Sequence, residues 1–87
     1  MTHEELERTI REIADEFSGR LPDQDIDNAH IFLDAGELEI ALENLCAQVY
    51  EYDLPVTVRT FKRIRSAGSE LGLRSSHWTD LTVISNE

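Results

Sequence analysis

The sequence predicts an all-α fold: a compact bundle of about five helices, the third central and the last short. Three observations lead there. Apolar residues recur at steps of three and four along most of the chain, the spacing of one helix face. Alternating strand patterns are nearly absent, and the Val-Thr-Val run at 56–58 is too short to count. The breaks between periodic runs are short and carry Gly or Pro, which favours antiparallel neighbours. The 87 residues are expected to form one domain, residues 1–87. A chain this short buries only about 60–65% of its extended surface, so its core is modest.

The first helix begins with a capping-box pattern, Thr2 as N-cap and Glu5 three residues on. Leu6, Ile10, Ile13 and Phe17 then form one stripe. On the charged face Glu4 is in reach of Arg8, and Glu7 of Arg11. Ser18-Gly19 stops the helix, Gly19 suiting a left-handed cap. Pro22 or Asp23 opens the second helix. Its acids Asp23, Asp25 and Asp27 sit where the helix dipole favours them. Ile26, Ala29 and Leu33 are its buried stripe, with His30 beside it, and Gly36 ends it. Ile31 and Phe32 fall off that stripe on opposite sides, so at least one needs another neighbour.

The third helix runs from about Glu37 to Tyr52. Leu38, Leu42, Leu45, Val49 and Tyr52 line one face, Ala41 and Cys46 flank it, and Ile40 sits nearly opposite. So broad an apolar surface belongs to a helix covered from more than one side. Pro55 drives Leu54 out of helical geometry and ends the run. Thr57 caps a fourth helix with Phe61, Ile64, Gly68 and Leu71 on its inner stripe. A glycine there costs about 1 kcal/mol against Ala and predicts close approach of another helix. Gly72 ends it. Ser75 or Ser76 caps a short final helix in which Trp78, Leu81 and Ile84 recur at steps of three. The tail Ser85-Asn86-Glu87 is expected to fray.

Charge bounds the function. Eighteen acids oppose eight Lys and Arg, a net charge of −10. Such a surface repels nucleic acid and anionic membranes, and it attracts cationic partners. Residues 1–58 hold fifteen acids and three bases, whereas 59–87 hold three acids and five bases. Four of those bases lie in Arg-Thr-Phe-Lys-Arg-Ile-Arg, residues 59–65. That run is small beside the overall charge and leaves no aromatic to stack on bases, so direct nucleic-acid binding is not expected. Its bases are expected to pair with the protein's own acidic helices or to frame a partner. A lone Cys46 fits a reducing compartment. The N-terminal stretch has no signal pattern, and no run approaches the ~18 apolar residues of a membrane helix. A cytoplasmic location follows as an expectation.

Little in the sequence supports chemistry. His3, His30 and His77 have no His or Cys at metal-ligand spacing. His30 reads as a partly buried, hydrogen-bonded packing residue and Cys46 as a small core residue. Asp23-Gln24-Asp25-Ile26-Asp27-Asn28 echoes a calcium loop, but its sixth place is Asn28 rather than Gly and its twelfth is Asp34 rather than Glu. No phosphate loop, nucleophile elbow or Ser/His pairing is present. The expectation is a non-enzyme with no cofactor and no metal.

The sharpest surface is on the third helix. At about 100° per residue, Glu39, Glu43 and Tyr50 fall within about 40° of one another. Glu51 and Asp53 lie beside them at the helix end. Tyr52 points along the buried stripe, so Tyr52 is expected to pack and Tyr50 to show. Carboxylates around an exposed Tyr suit a cationic protein partner. The competing reading lays Tyr50 flat on a neighbouring helix with the glutamates facing water. The candidate contact residues are Glu39, Glu43, Tyr50, Glu51 and Asp53.

The order of short motifs resembles a known family. Gly36-Glu37 is followed by Ala41-Leu42, Leu45 and Gln48-Val49-Tyr50-Glu51. Then come Pro55-Val56-Thr57, Leu71-Gly72-Leu73, and Trp78 with Leu81. Over about residues 12–82 this resembles the MafI-type immunity proteins of bacterial polymorphic toxin systems. The resemblance implies a small cytoplasmic protein that binds and neutralises one cognate toxin C-terminal domain, often a nuclease such as an EndoU-type RNase. It implies no catalytic residues and assigns no contact residues. It fits a monomer in a one-to-one complex, with residues 59–65 expected to turn away from the toxin's active site or to meet an acidic patch outside it. The alternative is an acidic helical adaptor or regulatory subunit for another basic protein.

Overall fold

The computed structural model describes residues 1–85. Helix α1 (His3–Glu16) opens on the expected capping box. Thr2 Oγ1 accepts from the Glu5 N–H at 3.1 Å, and the Glu5 carboxylate accepts from the Thr2 N–H at 2.7 Å. These bonds satisfy donors that a helix start leaves open. They also hold the Glu5 carboxyl below its ordinary range, the Thr2 backbone N–H contributing most. Leu6, Ile10, Ile13 and Phe17 are all buried. Glu7 pairs with Arg11 at 3.1 Å, and the same guanidinium reaches Asp34 at 2.9 Å. Among the described residues Glu4 and Arg8 form no ion pair, although their spacing allows one.

Helix α2 (Asp23–Asp34) follows Pro22 and buries Ile26, Ala29 and Leu33. Phe32 packs half-buried against the core, whereas Ile31 is left exposed. Helix α3 (Leu38–Glu51) buries Leu38, Ala41, Leu42, Leu45, Cys46 and Val49. It pairs most broadly with α2 and also meets α1, helix α4 (Val58–Glu70) and a 3₁₀ turn (Ser75–His77). Its breadth of apolar surface thus has a matching breadth of neighbours.

Thr57 caps α4 as expected, accepting from the Thr60 N–H at 3.1 Å. The buried Thr60 hydroxyl in turn donates to Glu16 at 2.8 Å, tying the start of α4 to the end of α1. Arg63 reinforces that seam through Glu12. One backbone device closes three helices. The Glu37 N–H reaches Phe32 O at 2.8 Å, Leu54 reaches Val49 O at 3.0 Å, and Leu73 reaches Gly68 O at 2.9 Å. Each such bond needs the intervening residue in left-handed backbone. Gly36 and Gly72 supply it at φ 78° and 73°, but on α3 the residue is Asp53, at φ 51°.

The last segment corrects the expected fifth helix, leaving four α-helices among the described residues. Only the 3₁₀ turn forms, with Arg74 rather than Ser75 or Ser76 at its cap position. Trp78 and Leu81 are buried as their spacing suggests, but Ile84 is exposed. It lies in a short strand, β2 (Val83–Ile84), parallel to β1 (Val56–Thr57), with Val56 opposite Val83. The Val56-Thr57 run therefore does form a strand. The physical reason is a backbone donor: Val56 is buried and extended, and its N–H needs an acceptor. Thr82 O supplies one at 2.9 Å, which a helix through Ile84 would not.

Gly68 is also reassigned. The close approach it permits is by a side chain rather than a helix. A Cβ built there would stand 2.3 Å from Trp78 Cζ3 and 2.7 Å from Cη2. Buried residues from all four α-helices, β1 and the Trp78 segment join in one core cluster. The Cα radius of gyration, 11.6 Å, is close to the about 12 Å of a compact chain this long. Among the described residues no helix is long and apolar enough to cross a membrane. The fraying expected at Asn86 and Glu87 lies outside the described residues.

Candidate partner-binding surface

Burial of the Leu38, Leu42, Leu45 and Val49 face fixes which side of α3 looks outward. Glu39 and Tyr50 are exposed on its flank, Tyr50 at 60%. Glu51 and Asp53 are exposed at its end. Glu43 is half-buried, its carboxylate 3.3 Å from His77 Nε2. Of the five candidate residues, Glu39, Glu43 and Tyr50 share the flank, and Glu51 lies about 100° round the helix from Tyr50. Asp53 stands past the helix, held in its left-handed turn.

Tyr52 departs from expectation. It is 50% exposed rather than packed on the stripe. It is the C-cap of α3, one residue past the last helical one, and none of the core closes over it there. Both tyrosines therefore face outward, at the same end of α3.

The acids divide into two groups. Those of α1 are mostly engaged within the protein. Glu7 pairs with Arg11, Glu12 with Arg63, and Asp15 with His30 at 2.8 Å. Glu16 accepts from Thr60 and Glu5 from the α1 cap. The second group follows α1. Among the described residues Asp23, Asp27, Glu37, Glu39, Glu51, Asp53 and Asp80 have no cationic side chain within 4.0 Å. Three of the candidate contact residues belong to this free group. His30, half-buried and bonded to Asp15, is the packing residue expected of it. In the basic run, Arg63 is spent on Glu12, while Arg59, Lys62 and Arg65 are exposed on α4.

Beside Tyr50 the surface is concave. Tyr50 and Ala47 of α3 face Ser76, His77 and Asp80 across a cleft of about 270 Å³, with Cys46 and Leu81 also lining it. Sequence reasoning missed Ser76, His77 and Asp80. Their one signal is adjacency to Trp78: neighbours of a buried aromatic in an irregular segment tend to point away from the core. Cys46 is only 1% exposed, and burial pushes its thiol up to about 12. It carries almost no thiolate near neutral pH and is no nucleophile there. Among the described residues no three His, Cys, Asp or Glu side chains are grouped to hold a metal ion.

The arrangement suits recognition: exposed carboxylates without internal partners, two outward tyrosines and a small cleft of mixed polarity, on or near α3. No protein-family model, curated protein or solved structure matches the chain.

Proposed function

We propose that the protein is a bacterial immunity protein that neutralises a cognate toxin domain by stoichiometric binding. The toxin in this reading is a basic nuclease, such as an EndoU-type RNase, met in the cytoplasm as a one-to-one complex. The observation that supports it is the sorting of the acids. Most carboxylates on α1 are engaged within the protein, by Arg11, Arg63, His30, Thr60 or the helix cap, whereas Glu39, Glu51 and Asp53 are left free beside Tyr50 and Tyr52. Exposed free charge draws an oppositely charged partner in quickly, and aromatic side chains hold it once it arrives. A nuclease needs a basic surface to hold its polyanionic substrate. An acidic protein seated there excludes that substrate. The resemblance to MafI-type proteins names this class of partner, and the backbone strain at Asp53 fits a residue kept for something other than stability.

Co-expression with any toxin-domain gene that adjoins this one tests the reading. Growth is restored and the two proteins co-purify if it holds. The Glu39→Lys/Glu51→Lys pair, exposed and outside every internal ion pair, slows association, more at low salt than at high. No protection and no co-purification sinks the proposal.

A further inference from the structure

The cleft between α3 and the Trp78 segment has a composition of its own. Its volume, about 270 Å³, lies below the about 300–1,000 Å³ of small-molecule sites, so it suits a single inserted side chain. Tyr50 contributes an aromatic wall and Asp80 a carboxylate. Among the described residues neither the Asp80 carboxylate nor the Tyr50 hydroxyl has a hydrogen-bond partner. Glu43 stands just behind, its carboxylate 3.3 Å from His77 Nε2. Leu81 and the alkyl part of the Cys46 side chain are apolar. No Lys or Arg lines the space.

We infer that this cleft is a socket for an arginine side chain presented by a basic protein partner. A guanidinium is planar and weakly hydrated. It stacks on a Tyr face and offers two parallel N–H donors to a carboxylate. Its methylene stem lies along apolar surface. Tyr50, Asp80 and Leu81 provide those three contacts in one cavity. Lysine fits less well, because a compact ammonium keeps its water and gains little from the ring. The socket rests on the reading of the protein as a binder of a basic partner, and it names one anchor of that contact.

Titration of the whole protein with N-acetyl-arginine amide, followed by amide chemical shifts, tests the socket directly. Saturable shifts centred on Ala47, Tyr50, His77 and Asp80 are expected, with no response to the neutral citrulline analogue. Asp80→Asn weakens this binding about tenfold, as expected when a charged hydrogen bond is lost. Tyr50→Phe keeps the ring and stays within about twofold, whereas Tyr50→Leu loses the stacking. Both positions are exposed, so the fold survives. Shifts spread evenly over the acidic surface, equal response to citrulline, or indifference to Asp80→Asn overturns the socket. These results stand apart from toxin co-expression: protection can fail while the socket binds, and protection unaffected by Asp80→Asn and Tyr50→Leu refutes the anchor while the immunity reading remains.

Discussion

Gly68→Ala reverses the usual sign of a helical substitution. In an open helix Ala is better than Gly by about 1 kcal/mol. Here the new methyl would stand 2.3 Å from Trp78 Cζ3, 2.7 Å from Cη2 and 3.1 Å from Cε3. Carbon atoms in contact settle at about 3.5–4.0 Å, so the ring must retreat by more than about 1 Å. Trp78 is 3% exposed and cannot swing into solvent without leaving the core. Overpacking of this kind costs about 1–3 kcal/mol, and a displaced aromatic ring falls in the upper part of that range. Set against the propensity gain, the net loss is about 2 kcal/mol. At this chain length that lowers Tm by about 8–16 °C. Urea unfolding followed by far-UV circular dichroism reads the change. Trp78, the single tryptophan, reports its own environment by fluorescence. In a Trp78→Leu background the methyl has no ring to meet, so the penalty shrinks, and the coupling measures the contact. A Gly68→Ala variant as stable as the parent, or more so, refutes the packing argument.

Asp53→Gly raises stability by about 1 kcal/mol in denaturant unfolding, because φ 51° costs an L-residue what glycine avoids. Tyr52→Ala, which the sequence pattern would make a cavity, leaves stability within about 0.5 kcal/mol because the side chain is already half in water. An NMR titration finds the Glu5 carboxyl below its ordinary range, and Thr2→Ala, which removes the hydroxyl but keeps the backbone N–H, returns it only part of the way. The sign follows from linkage: a lowered folded-state value makes the Glu5 contribution fully present above the ordinary carboxyl range. It fades as pH falls through the folded value.

Features set by neighbouring residues were legible in the sequence. The caps at Thr2 and Thr57 and the stops at Gly36 and Gly72 depend on a side chain and a backbone group within a few positions. The helix stripes were legible for the same reason. Tyr52 was not, because a place on the stripe guarantees burial only while a neighbour extends that far. The end of the chain misled more deeply. Trp78, Leu81 and Ile84 keep a helix-like step, but what shapes them is the Val56 N–H and the hollow at Gly68, both remote in sequence. The candidate surface was half legible. Helix geometry put Glu39, Glu43 and Tyr50 together, while His77 and Asp80 join them only through tertiary packing.

The Trp78 docking onto Gly68 bears on the order in which the molecule assembles. The four helices are joined by short connections and bury most of their apolar face against one another. The far wall of the cleft is held differently, by one indole, Leu81 and a ladder of two residues a strand. Its contacts span the whole of α4 and belong to the slow, non-local class. That contact pattern predicts that the wall opens before the helices do, as a separate cooperative unit. Amides near Val56 and Trp78 then exchange hydrogen faster than those in the middle of α3. The cleft thereby joins one wall of local helical contacts to another held by contacts remote in sequence.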